Sequence, residues 1–274
     1  MVKSILFAYP SSKNLYVQKS KDASFLIMCT FIINWQPGEE WPVLLAANRD
    51  ELISRAWKKP DRHWPDRPEV IAGHDDEAGG SWLGVNDHGV IAGILNRKNS
   101  LGPMPGKRSR GELVLEALDH ADAVEAATAI THVNEKAFRN FNMLILDNRD
   151  AFWLKKAGHE RVKCQPLPTG ISMLAAQELN DMASPRINHH LNKLRSIKTP
   201  NPALNDWKNW SNVLASRTCH VKEDPLTAMN IAPTSGFGTV SSSLIALPND
   251  INQKPIWLFC EGRPDKNKFL PISF

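Results

Sequence analysis

The chain has 274 residues, with 33 Lys+Arg against 29 Asp+Glu, nine His and a formal net charge of +4. Its 42% hydrophobic and 23% charged residues are those of an ordinary globular protein, which excludes a fibrous, collagen-like or wholly disordered chain. The basic excess is too small and scattered for a nucleic-acid footprint, the four distant cysteines form no CxxC pair, and no apolar run approaches the roughly 20 residues of a membrane span. Residues 1–27 read as an N-terminal extension. Between Tyr9 and Ser24 they are polar, and the short run Ile5–Ala8 is too brief for a secretory core. The extension is either an arm leading into a buried strand or a segment dispensed with, by removal or by a start at Met28. The remainder, 28–274, reads as a single domain in a reducing, cytoplasmic setting.

A dense apolar run begins at Phe25, and a strand is expected over Cys29–Trp35, bounded by Gln36-Pro37-Gly38. A second run, Val43–Ala47, ends in Asn48-Arg49-Asp50-Glu51. Residues 56–68 hold three prolines and two tryptophans, so they read as a loop or irregular edge. Val70–Gly73 is a short strand. Ser81–Val85 and Val90–Leu95 form a hairpin around Asn86-Asp87-His88-Gly89, where Asn, Asp and Gly suit a tight turn. Ser109-Arg110-Gly111-Glu112 has the pattern of a capping box, in which hydroxyl and carboxylate satisfy two orphan amides reciprocally. It opens a helix with Leu113, Leu115, Ala117 and Leu118. A second helix spans Asp122 to about Thr131.

Strands return at Asn140–Asp147 and Ala151–Lys155, then at Thr169–Ala175. Ser184-Pro185 supplies an N-cap and first-turn proline for a helix striped by Ile187, Leu191, Leu194 and Ile197. Another helix is expected over Leu204–Ser216, a loop over 220–238, and strands over Thr239–Leu247 and Pro255–Cys260. Hairpin-length connections make the sheets mainly antiparallel, hence α+β rather than doubly wound. No glycine-rich phosphate cradle follows any strand.

Three places carry candidate chemistry. Cys29, flanked by apolar residues, is a buried core residue by default. It also follows Met28, and if it became the N-terminus its α-amine could take the thiol proton. Asn48–Glu51 sits where an apolar run stops, so a carboxylate there can hold an ammonium group and an amide can donate to an oxyanion. Asn96 follows the run Val90–Leu95 and should emerge at its end, as a turn residue or a donor. His189-His190 are adjacent on a helix and point apart, and Cys219-His220 lacks partners at ligand spacing, so no metal site is expected. Trp57, Lys58, Lys59, Arg62, Trp64 and Arg67 read as a solvated loop or as a lid facing an anionic ligand.

The strings M-C-T-F-I, L-A-A-N-R-D-E, G-G-S-W-L-G-V, G-V-I-A-G-I-L-N, R-S-R-G-E-L and F-N-M-L-I-L-D together resemble the NRDE family, that of transport and Golgi organisation protein 2. That family is similar in turn to the N-terminal-nucleophile hydrolases, especially the choloylglycine hydrolase and penicillin acylase group. The resemblance implies a four-layer αββα sandwich with two mainly antiparallel sheets. It implies hydrolysis or transfer of an acyl group from a linear amide or thioester. Cys29 would be nucleophile and base, Asp50 would orient the amine, and Asn96 would stabilise the oxyanion. Asn48, Arg49, Gly80, Trp82 and Arg110 follow as binding residues. An R-N-x-D segment of the hydrolases falls on Ala47–Asp50, leaving Ala47 at the arginine position. Where the hydrolases carry a further Asn, this chain reads Gly170-Ile171-Ser172-Met173-Leu174, and Met173 cannot donate a hydrogen bond. Losing one such donor costs ~10²–10³ in rate. The alternative implied by eukaryotic relatives is a non-catalytic carrier or trafficking protein that binds haem or an acyl-CoA-like amphipathic ligand. No cofactor is required on either reading, with haem a candidate ligand. The expected partner is a small, amphipathic molecule, and the oligomeric state is open.

Overall fold

The computed structural model describes residues 29–219, 227–233 and 236–274. In chain order the elements are β1 (Thr30–Trp35), β2 (Val43–Leu52), β3 (Trp57–Asp61), β4 (Val70–Asp75), β5 (Leu83–Asn86), β6 (Ile91–Asn96), α1 (Gly111–Leu118), α2 (Ala123–Thr131), β7 (Phe141–Leu146), β8 (Ala151–Lys156), β9 (Lys163–Pro166), β10 (Gly170–Leu174), α3 (Pro185–Ser196), α4 (Lys208–Leu214), β11 (Phe237–Leu247), β12 (Ile256–Glu261) and β13 (Leu270–Pro271). They form two sheets, ordered β10-β1-β2-β11-β12-β13 and β3-β4-β5-β6-β7-β8-β9. Every pairing is antiparallel.

Three apolar cores separate four layers. Phe31, Ile33 and Leu45 of the first sheet meet Leu83, Ile91 and Leu144 of the second. The other face of the first sheet, with Ile32, Leu44 and Ala46, packs on Ile187 and Leu191 of α3 and Trp210 and Leu214 of α4. The outer face of the second sheet, with Val70, Ala92 and Ile145, packs on Leu113 and Leu118 of α1 and Ala126 and Ile130 of α2. This is the αββα sandwich. Burial on both faces explains why β1 and the start of β2 read as unbroken apolar runs rather than alternating ones.

The expected capping box has shifted. The Glu112 carboxylate accepts from the Ser109 backbone N–H at 3.1 Å, but the Ser109 hydroxyl takes the Gly111 amide and α1 starts at Gly111. At α2 the Asp122 side chain caps the helix by accepting from Glu125 N at 2.8 Å. Residues 57–61 pair with β4 as an irregular edge strand. The expected Leu204–Ser216 helix divides into a 3₁₀ turn, Pro202–Leu204, and α4, because Asn205 takes a left-handed φ of 51° that ends the first piece. Strands β9 and β13 carry too little apolar pattern to be read from sequence, their residues being exposed. The expected loop 220–238 falls partly outside the described residues. No helix among the described residues is long and apolar enough to cross a membrane.

Candidate active site

One difference from the sequence reading governs the site. Strand β2 does not stop at Ala47; it continues through Asn48-Arg49-Asp50-Glu51 to Leu52, and Asn48, Arg49 and Asp50 are buried. Side chains on a strand alternate between faces. Thr30 stands opposite Asn48 and Phe31 opposite Ala47, so the same register sets Cys29 opposite Arg49. Cys29, Phe31, Ala47 and Arg49 therefore face the cleft between the sheets, while Thr30, Asn48 and Asp50 face the layer of α3 and α4. Ala47 and Arg49 share a face, so Arg49 presents its guanidinium to the side on which an arginine at 47 would project, one repeat further along.

Cys29 lies just before β1, half-buried. Its Sγ accepts from the Asp50 backbone N–H at 3.3 Å and lies 3.4 Å from the Asp50 carbonyl. Burial first, and then the negative charge of Asp50, pushes the thiol up to about 12, against the pull of that amide and of Arg49. In the uncleaved chain the sulfur is a thiol, not a thiolate. It borders a cavity of about 10 Å³, room for roughly one water, lined also by Arg49, Trp82, Ile94, Leu95 and Ser241. The Arg49 guanidinium lies 4.2 Å from the centre of the Trp82 ring and 5.8 Å from that of Trp57, and Glu51 stands 3.7 Å from its Nη2. Its Nη1 is buried and has no hydrogen-bond partner. Burial lowers the Arg49 pKa. Trp82 reaches this position because residue 73 is glycine: a Cβ there would lie 2.3 Å from the indole.

Behind Cys29, on the helix side, Asp50 is held by two partners that come from distant parts of the chain. Arg186 Nη1 donates to Asp50 Oδ2 at 3.1 Å and to Thr30 Oγ1 at 2.7 Å, and Thr239 Oγ1 donates to Asp50 Oδ1 at 2.6 Å. Burial raises the Asp50 pKa, with Arg186 and Thr239 opposing it. A β-bulge between Thr239 and Ser241 lets Thr239 pair with Asp50 while Ser241 pairs with Arg49. The extra residue, Val240, shifts the alternation of β11 by one, so that Thr239 reaches the helix side and Ser241 the cleft. Asn48 is fully engaged: its Nδ2 donates to the Leu214 and Met229 carbonyls at 3.0 and 2.8 Å, and its Oδ1 accepts from Ser242 Oγ at 2.6 Å.

The remaining nominated residues occupy separate places. Asn96 ends β6 opposite Phe141, one residue beyond the cavity-lining Leu95. Gly80 lies against the Gly111 backbone at the start of α1, where a Cβ would sit 2.4 Å from the Gly111 carbonyl carbon. Arg110 does not line the Cys29 cavity. Its Nη1 donates to the Ser100 carbonyl at 2.6 Å and the Asn140 carbonyl at 3.1 Å, tying down the loop after β6, and burial lowers its pKa to about 10. Met173 pairs with Ile32 and packs in the helix-side core, so its side chain is turned away from the cleft, and its lack of a donor removes nothing from the Cys29 face. Of the 56–68 segment, Trp57 borders the cleft. Arg62 and Arg67 are tied by ion pairs to Asp87 and Asp119. Among the described residues no group of three or more His, Cys, Asp or Glu is placed to hold a metal.

Residues 28–254 match the family described as Transport and Golgi organisation 2. The chain belongs to that family. No curated protein matches it. Among solved structures, this Transport and Golgi organisation 2 member is similar to the Caenorhabditis elegans N-acylethanolamine-hydrolyzing acid amidase ortholog, with TM-score 0.54 and 15% identity over 81% of this chain and 94% of that one. It is also similar to a variant of the conjugated bile acid hydrolase from Clostridium perfringens, with TM-score 0.50 and 14% identity over 90% of this chain and 97% of that one. At these identities the likeness establishes the N-terminal-nucleophile hydrolase-like fold.

Proposed function

We propose that the protein hydrolyses, or transfers, an acyl group from a linear amide or thioester through Cys29. The observation that carries this reading is the position of the Cys29 sulfur. It lies at the cleft between the sheets, held by the Asp50 amide and faced by an Arg49 guanidinium with a buried, unpartnered Nη1. The reaction requires a chain that begins at Cys29. Its α-amine, with an ordinary pKa of about 7.7–8, then takes the thiol proton, and the sulfur attacks the carbonyl carbon. The oxyanion forms against Arg49 Nη1; Asn96, expected as a second donor, falls in the alternation of β6 on the side of Ala92 and Ile94, opposite to cleft-facing Leu95. The α-ammonium returns its proton to the departing amine or thiol, leaving an acyl thioester on Cys29. Water, or an acceptor amine, then attacks that thioester, and the α-amine takes the incoming proton. Asp50, fixed by Arg186 and Thr239, keeps a carboxylate on the helix side of the same chain end.

The test is intact mass of protein recovered from its own host, before and after incubation with a medium-chain acyl p-nitroanilide and the matching acyl thioester. A species starting at Cys29 should gain one acyl group, and Cys29→Ala should not. If the species starting at Cys29 takes up no acyl group from either compound, the proposal fails. The aromatic wall formed by Trp57, Trp82 and Phe259, with perpendicular Trp57–Trp82 rings 5.7 Å apart, supports a second reading. An apolar wall beside a buried cation suits an amphipathic anion such as haem or an acyl-CoA-like molecule, and with a cavity of only about 10 Å³ the wall must move apart to admit one. Under that reading Cys29→Ala keeps ligand binding and there is no turnover to lose.

A further inference from the structure

A second cavity, about 290 Å³, shares no lining residue with the one at Cys29. It opens where the loop after β6 crosses the 3₁₀ turn Glu135–Ala137 at the end of β8. Its walls bring together Lys107, Lys136, Arg139, Lys156 and His159 against a single carboxylate, Glu135. None of the four Lys and Arg side chains forms a salt bridge among the described residues. Lys156 is the unusual member, since the residue is only 5% exposed. A lysine is almost never so deeply buried without a paired charge. Two of its three N–H donors go to Asn140 Oδ1 at 3.3 Å and the Gly158 carbonyl at 2.8 Å. Burial and the neighbouring Lys107 hold its pKa below the ordinary lysine value.

We propose that this cavity is a binding site for a phosphate-bearing small molecule, with the phosphate held by Lys156, Lys107 and Lys136. An anion there supplies the counter-charge that the buried ammonium lacks. The choice of phosphate over carboxylate follows from the donors. Planar carboxylates are best read by the arginine fork, but the fork of Arg139 is closed on loop carbonyls, Asn99 on Nη2 and Leu101 and Gly102 on Nη1. What remains are ammonium groups, compact point charges that suit a multiply charged phosphate. The volume exceeds that of bare phosphate and lies near the lower end of small-ligand pockets, roughly 300 Å³. Arg110, half-buried, braces two of the lining residues, Ser100 and Asn140, so the wall is tied down by a side chain rather than left as a free loop.

The test is calorimetric titration of the full chain at low ionic strength with inorganic pyrophosphate, and with citrate as a carboxylate of similar charge. Pyrophosphate should bind, and citrate should bind at least tenfold more weakly. The double variant Lys107→Ser, Lys136→Ser removes exposed side chains without touching the core and should weaken pyrophosphate about tenfold or more. Lys156→Gln keeps a neutral donor and should weaken it similarly. Absence of pyrophosphate binding at millimolar concentration, equal binding of citrate, or unchanged affinity in the double variant would each overturn the assignment.

Discussion

Replacing Arg186 by methionine tests how the Asp50 carboxylate is kept beside Cys29. The guanidinium is buried, as is the carboxylate it meets at 3.1 Å, and it also bonds Thr30 Oγ1. Arg186→Met leaves Asp50 in the same apolar layer with Thr239 as its remaining side-chain partner. Breaking a buried ion pair by removing one member costs about 3–5 kcal/mol, most of it from the stranded charge. At about 2–4 °C per kcal/mol for a chain of this size class, Tm should fall by on the order of 10 °C near pH 8. The pH dependence is the sharper part. Burial already holds the Asp50 pKa above the ordinary carboxyl value, and Arg186 is the largest influence opposing that rise. An acid with a raised folded pKa binds its proton more tightly folded than unfolded. Ionising it costs stability as pH climbs from the unfolded pKa to the folded one, and the cost then levels off. Removing Arg186 raises the folded pKa further, so the variant should lose least near pH 4 and most near pH 8. Urea unfolding at both values, with Asp50→Asn/Arg186→Met as the partner variant, measures it. The double variant should recover most of the loss at pH 8. A single-variant loss that is equal at the two pH values, or below about 1 kcal/mol at pH 8, would refute the reasoning.

Three further outcomes are expected. In the uncleaved chain a Cys29 pKa of about 12 leaves roughly one thiol in ten thousand ionised at pH 8. Iodoacetamide should therefore label exposed Cys164 well before Cys29, as read by peptide mass spectrometry, and equal labelling rates would contradict this. Asn48→Ala strips partners from the Leu214 and Met229 carbonyls and from Ser242 Oγ. It should cost about 2–4 kcal/mol by denaturant unfolding, since each stranded buried group carries its own desolvation penalty. Arg49→Met removes a buried cation whose Nη1 bonds to nothing. It should leave Tm unchanged or higher while abolishing acyl uptake by the species starting at Cys29, because groups poised for a ligand are often held at a cost in stability. A large loss of stability would show that Arg49 is structural.

Much of the architecture is legible in local pattern. The Asn86–Gly89 turn, the Asp122 cap, the proline-led start of α3 and the doubly buried runs of β1 and β2 each follow from nearest-neighbour chemistry, whereas the Ser184 hydroxyl, expected to cap α3, makes no cap hydrogen bond. With hairpin-length connections they determine an antiparallel α+β fold, and the spaced motifs point to Cys29 and the Asn48–Glu51 segment. What sequence could not decide is which side of the sheet each residue serves. Period-2 alternation separates Arg49 from Asn48 and Asp50, but only the stacking of two sheets and two helical layers makes one face a cleft and the other a core. The same holds for Met173, whose register against Ile32 turns it outward, and for Val240, whose bulge leaves no local signature. Arg186 was missed for a related reason. Its partner is 136 residues away in the chain, and its one local trace is a cation in the first turn of a helix, where the dipole disfavours it. The linear chain thus determined which residues were available, and the packing of its layers decided which of them meet.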